Sequence, residues 1–198
     1  MFDSFKKFMS YPILVGNAIV DFTSMATNTI LVAFILSKGM GIYQTQNTLI
    51  LIMGVIIALV IQKKPMLMKI SYNNFKTFLI IEGVAQALIG ITTLITGTPY
   101  IYVIASIIKT PFNTIQKFGL IELQSRIPNR LEFDQLNELF SSYIKVAGMI
   151  SAFLIISWMP APVAFMILAA TDVINNFFYW KAYKMYAKDD TSDSSKAA

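Results

Sequence analysis

Charged and amide side chains recur at helical spacing inside otherwise apolar segments of this chain. One set, near the start, comprises Asn17, Asp21, Ser24 and Asn28. Another, past the middle, comprises Lys109, Asn113, Gln116 and Lys117. Residues three and four positions apart lie on the same face of a helix, so each set predicts one polar stripe along a helix.

Ionisable residues also interrupt three other apolar segments: Glu82, Lys145 and Asp172. Such groups are costly at bilayer depth and usually face a partner or a water-filled cavity. We therefore predict a polar cavity in which Asp21, Glu82 or Asp172 pairs with Lys109 or Lys145. The primary candidates for its lining are Asn17, Asp21, Lys109, Asn113 and Lys145, and the secondary candidates are Glu82, Gln116 and Asp172. The alternative is that these side chains only hold helices together through polar contacts.

Several kinds of chemistry lack their residues. The chain has neither cysteine nor histidine, so it offers no thiolate and no imidazole base or ligand. It contains neither of the common glycine-rich phosphate loops and no metal-ligand spacing. We expect a protein that is not an enzyme and that holds no metal or cofactor. The basic loops are short and form no basic stripe, which argues against nucleic-acid binding.

Composition places the chain in a membrane. Of its 198 residues 56% are hydrophobic and 14% are charged, and its mean hydropathy is +0.60, whereas soluble domains are about 25% charged. Two long uncharged runs each contain a helix breaker, at Gly97–Pro99 and at Pro160–Pro162. We predict an all-α bundle of six transmembrane helices, at about 12–36, 46–62, 77–96, 99–121, 138–158 and 161–183.

Basic residues predict the orientation. Twelve of the sixteen lysines and arginines fall on one side of these six spans, and Lys38 alone falls on the other. The positive-inside rule then places both termini in the cytoplasm, in a multi-pass protein of the cytoplasmic (inner) membrane. We expect one transmembrane domain over 1–186 and a disordered polar tail over 187–198. The first apolar stretch is too long for a cleavable signal peptide.

The layout resembles the N-terminal six-helix half of a major facilitator superfamily transporter. The segment from Arg126 to Arg130 (RIPNR), followed by Asn137, Ser141–Ser142 and Gly148, is similar to that family's link from the fourth to the fifth span. The basic loop at Gln62–Pro65 lacks the glycine and aspartate of the family pattern. The family's transporters have twelve spans, twice the number predicted here.

The resemblance implies a protein that moves or binds a small solute, as a homodimer that rebuilds the twelve-helix arrangement. The predicted lining is net basic, with Lys109, Lys117 and Lys145 against Asp21 and at most Glu82, which favours an anionic or zwitterionic solute. Alternating access needs two bundles that rock about a site between them. The alternative is a non-transporting partner of another membrane protein, such as an immunity, exclusion or assembly factor. A substrate-binding subunit of an energy-coupling transporter also has six spans and would need a separate partner module.

Overall fold

The computed structural model describes residues 2–38 and 40–187, and in this part of the chain all regular secondary structure is helical. Its eight helices are α1 (Phe2–Ser10), α2 (Pro12–Lys38), α3 (Met40–Gln62), α4 (Lys64–Asn73), α5 (Phe75–Thr96), α6 (Pro99–Ser125), α7 (Arg130–Trp158) and α8 (Ala161–Tyr186). The all-α class predicted from sequence is therefore confirmed. The predicted tail lies outside the described residues except for Ala187.

The helix breaks follow the breakers in the sequence. Gly97 ends α5 in the left-handed conformation (φ 63°), and Pro99 occupies the first turn of α6. Pro160 likewise precedes α8, where a missing backbone donor costs nothing. Pro111 does not break α6, which runs through it as one helix.

The structure adds two short helices to the six long ones. The first, α1, packs Phe8 onto Phe140 of α7 with ring centroids 4.5 Å apart, and Lys7 donates a 2.6 Å hydrogen bond to Glu132. That hydrogen bond and the carboxylate charge raise the pKa of Lys7 above its ordinary value. The second, α4, occupies most of the basic stretch predicted as a loop and has Pro65 in its first turn. Both are shorter than a transmembrane span, so the long apolar runs of the sequence do not predict them.

Three helices in the described part of the chain are long and apolar enough to cross a membrane: α5, α7 and α8. Residues 47–62 of α3 qualify as a fourth candidate together with α4, although the two helices meet at 85°. These helices support a membrane protein. Among the described residues, α2 and α6, which carry the two polar stripes, do not qualify as candidates by themselves.

In the part of the chain that the structure describes, the long helices form an arc. Packing runs in the order α7–α2–α8–α5–α6–α3, and α4 packs against α6. Small residues allow the closest approaches. A Cβ atom added to Gly148 of α7 would lie 2.5 Å from the carbonyl oxygen of Phe22 on α2.

Two apolar clusters close the two ends of the arc. We call the end where α2, α5 and α7 begin the terminal end; its core includes Ile13, Phe75, Leu123 and Phe133. The cluster at the other end includes Ala26, Ala152 and Ala169, with Tyr102 and Phe165 stacked 4.5 Å apart. Most of the polar side chains predicted as candidates lie between these clusters.

A candidate solute-binding cavity

A polar cavity of about 480 Å³ lies in the terminal half of the bundle. Side chains from α2, α5, α6, α7 and α8 line it. Its volume falls in the range of small-molecule sites, about 300–1,000 Å³. Among the described residues, α6 and α7 line the cavity from opposite sides without packing along each other, so the arc leaves it open between them.

A buried ion pair forms one wall of the cavity. The Nζ atom of Lys109 on α6 lies 2.9 Å from Oε1 of Glu82 on α5, and only 12% and 10% of the two side chains are exposed. Lys109 also donates to the side-chain oxygen of Gln86, one turn along α5. The amide of Asn176 on α8 donates to the other oxygen of Glu82. This network therefore joins three helices through one ammonium and one carboxylate.

Asp172 adds a second carboxylate to the same network, and no cation in the described part of the chain lies at ion-pair distance from it. Its two oxygens accept hydrogen bonds from Thr23 of α2 (2.6 Å) and from Gln86 (3.0 Å). The Gln86 amide also donates to the hydroxyl of Tyr102 (3.2 Å). The network therefore contains two carboxyl groups and one ammonium.

A second, more open cluster joins α2 to α7. Asp21 accepts a 2.5 Å hydrogen bond from the Ser141 hydroxyl. Its other oxygen lies 3.7 Å from Nζ of Lys145, and the exposed fractions of these two side chains are 26% for Asp21 and 47% for Lys145. One turn nearer the terminal end, Asn17 accepts from Tyr179 (3.0 Å) and donates to Asn137 (3.2 Å). The Asp21–Lys145 pair is therefore loose enough for water or a solute to reach both charges.

The lining contains as many acidic as basic groups. Asp21, Glu82 and Asp172 stand against Lys109, Lys117 and Lys145. The net basic lining predicted from Lys109, Lys117 and Lys145 against Asp21 and Glu82 is therefore wrong, because Asp172 also lines the cavity. The side-chain oxygen of Asn113 is also buried and accepts no hydrogen bond from another described residue. It is therefore an acceptor for water or a solute in the cavity.

All eight residues predicted from sequence lie beside this one cavity: Asn17, Asp21, Glu82, Lys109, Asn113, Gln116, Lys145 and Asp172. Asp21 and Lys109 belong to separate clusters, each with a partner from another helix. Sequence reasoning missed Thr23, Tyr102 and Asn137 as contributors. Thr23 and Tyr102 belong to types that are common in apolar helices, and Asn137 falls just before the predicted start of the fifth span.

Within the described residues, no three acidic side chains are grouped so that they could hold a metal ion. Comparisons of the chain with protein-family models, with curated proteins and with solved structures gave no significant match. The resemblance to half of a facilitator therefore remains an expectation from the sequence.

Proposed function

We propose that this chain is a six-span membrane protein with both termini in the cytoplasm, and that its cavity binds a small solute. Helices α2, α3 and α6 are then spans alongside α5, α7 and α8. The polar stripes of α2 and α6 are compatible with a bilayer because all of their residues except Asn28 line the cavity instead of meeting lipid. The two short turns at Gly97 and Pro160 lie on the outer side, and the cavity lies in the cytoplasmic half.

The balanced charge of the lining carries the proposal and favours a zwitterionic solute over an anionic one. Among the described residues, no carboxylate lies at ion-pair distance from Lys117, and Lys145 is held only loosely by Asp21. These groups can receive the negative end of a solute. Asp21 and Asp172 can receive its positive end, and the Asn113 oxygen can accept a hydrogen bond. A solute with both charges forms ion pairs without leaving a surplus charge in a low-dielectric site.

The opening between α6 and α7 supports a homodimer. Lys145 lies about 10 Å inside the predicted fifth span, because seven residues separate it from residue 138 at about 1.5 Å each. A lysine facing lipid near mid-membrane costs about 2.5–3.5 kcal/mol. A second copy across the opening would cover Lys145 and Lys117 and supply the second bundle that alternating access requires.

Flux measurements test the proposal. Purified protein in liposomes is assayed with a radiolabelled panel: a zwitterion (glycine, glycine betaine), an anion (acetate, phosphate) and a neutral solute (glucose). We expect flux of a zwitterion that Asp21→Asn and Lys109→Ala abolish. The matched control is Glu138→Gln, which makes the same carboxylate-to-amide change at an exposed position of α7 that does not line the cavity.

Absence of flux for all three classes, with a monomer in mild detergent, would refute transport. The polar network would then serve to hold the helices together, since it already satisfies most of its own members. The chain would in that case be a non-transporting membrane interaction protein, the alternative that the sequence left open.

A further inference from the structure

A second cavity lies on the outer flank of the bundle, separate from the polar one. It is a groove of about 330 Å³ between α5 and α8, both of which are apolar enough to span a membrane. Its walls are formed by Leu79, Ile80, Gly83, Val84 and Val173, with Trp180 at the terminal end. Ile80 and Val84 are exposed, so the groove faces the lipid in the proposed arrangement.

Two lysines stand at the terminal end of this groove. The Nζ atom of Lys76 lies 5.4 Å from the centre of the Trp180 ring, and that of Lys184 lies 5.1 Å from it. Trp180 in turn stacks on Tyr183, with ring planes 14° apart. The tryptophan is therefore held at one end of the groove with two ammonium groups beside it. Tryptophan and lysine together are typical of the membrane–water interface.

The length of the groove matches one leaflet of a bilayer. Eleven residues separate Val173 from Lys184 along α8, which corresponds to about 16 Å of helix. Half of the hydrocarbon core is about 15 Å thick. A chain that begins at the lysines and ends near Val173 thus covers the distance from the interface to the middle of the bilayer.

We infer that this groove binds an anionic phospholipid. Lys76 and Lys184 would contact the phosphate, Trp180 would lie at the level of the glycerol, and one acyl chain would pack along Ile80, Gly83 and Val84. Gly83 matters because it keeps the groove open: a Cβ there would lie 3.3 Å from the Asn176 amide nitrogen. The Asn176 amide also lines the polar cavity, where it donates a hydrogen bond to Glu82. This one side chain therefore forms part of the wall of the groove and of the wall of the polar cavity. The inference needs only a chain in a bilayer and is independent of whether it transports.

The chain's own tryptophans provide the test. There are two, Trp180 in the groove and Trp158, which is 85% exposed near the other end of the bundle. Trp158→Phe leaves Trp180 as the only reporter in liposomes. The probes are brominated phosphatidylglycerol and brominated phosphatidylcholine, which quench tryptophan on contact. We expect the anionic lipid to quench Trp180 at lower mole fraction, with about a fivefold preference for each lysine.

Lys76→Gln with Lys184→Gln should remove this preference. The matched control is Lys63→Gln with Lys64→Gln, which removes the same charge from the same predicted side of the bundle away from the groove and should leave the preference intact. Trp180→Phe, which leaves Trp158, should show no headgroup preference. Equal quenching of Trp180 by both lipids would overturn the inference. An equal loss of preference in the Lys63/Lys64 control and in the Lys76/Lys184 variant would also overturn it, because the preference would then depend on net charge alone.

Discussion

Removing Lys109 should destabilise the protein more than removing any exposed cation. Lys109 and Glu82 lie 2.9 Å apart with little exposure, and their Coulomb attraction is about 6 kcal/mol at an effective dielectric constant of about 20. Desolvation of both groups offsets most of that attraction. Lys109→Met also leaves the carboxylates of Glu82 and Asp172 in one buried network without a cation. Breaking a buried pair in this way costs about 3–5 kcal/mol.

The matched control is Arg130→Met. Arg130 pairs with Asp134 at 3.2 Å, but about half of each side chain is exposed, and such a pair contributes about 0.3–0.5 kcal/mol. The double variant Lys109→Met/Glu82→Gln should recover part of the stability lost by Lys109→Met, because it removes one of the two uncompensated carboxylates and leaves only Asp172.

The assay is reversible unfolding in mixed detergent micelles, which gives the free energy of unfolding of each variant. A loss for Lys109→Met no larger than that for Arg130→Met would refute a buried pair. A double variant that is less stable than Lys109→Met would contradict the charge argument, since the remaining damage would then come from lost packing.

Three further predictions concern helix packing, the role of Asp21 and the orientation in the membrane. Gly148→Ala should destabilise the protein by about 1–3 kcal/mol in the same unfolding assay, because the added Cβ would meet the Phe22 carbonyl. The control, Gly54→Ala, should be neutral or slightly stabilising, because nothing lies within 4 Å of a Cβ at that position. Asp21→Asn should leave the unfolding free energy within about 1 kcal/mol of the wild type while abolishing flux, since its partner Lys145 keeps access to water; a loss of several kcal/mol would make Asp21 a structural residue. The chain has no cysteine, so single cysteines can report the orientation. Cysteines at Thr96 and Ser157 should react with an impermeant maleimide added outside intact cells, and cysteines at Asn73 and Ser125 should not. Labelling at position 73 from outside would refute the proposed orientation.

Helix positions were predictable because the signals are local. The proline and glycine breaks near Pro99 and Pro160 are visible in the sequence, and the long helices end within a few residues of them. The polar stripes of α2 and α6 likewise face one cavity, as helical periodicity predicts, except for Asn28 at the far end of the α2 stripe. The additional helices α1 and α4 were not predicted because they are too short and too polar to be recognised as spans.

Partner choice within the site was not predictable from sequence. The intervals within one helix show which residues share a face, but not which helices pack together. Asp21 meets Lys145 because Gly148 lets α7 approach α2, and Glu82 meets Lys109 because α5 packs against α6. The same reason explains the wrong charge count, since Asp172 reaches the cavity only through the packing of α8 between α2 and α5.

Cross-linking at the opening between α6 and α7 tests the central claim most directly, namely that a second copy of the chain completes the cavity. Ile121 on α6 is neutral, exposed and part of the lining, so Ile121→Cys places one thiol where a second copy should lie. With a short bis-maleimide in membranes, the account predicts a cross-linked dimer for Ile121→Cys and none for Leu59→Cys, which is exposed on the outer flank of α3. A monomer at Ile121 under conditions in which the thiol reacts fully with a monofunctional maleimide would contradict it.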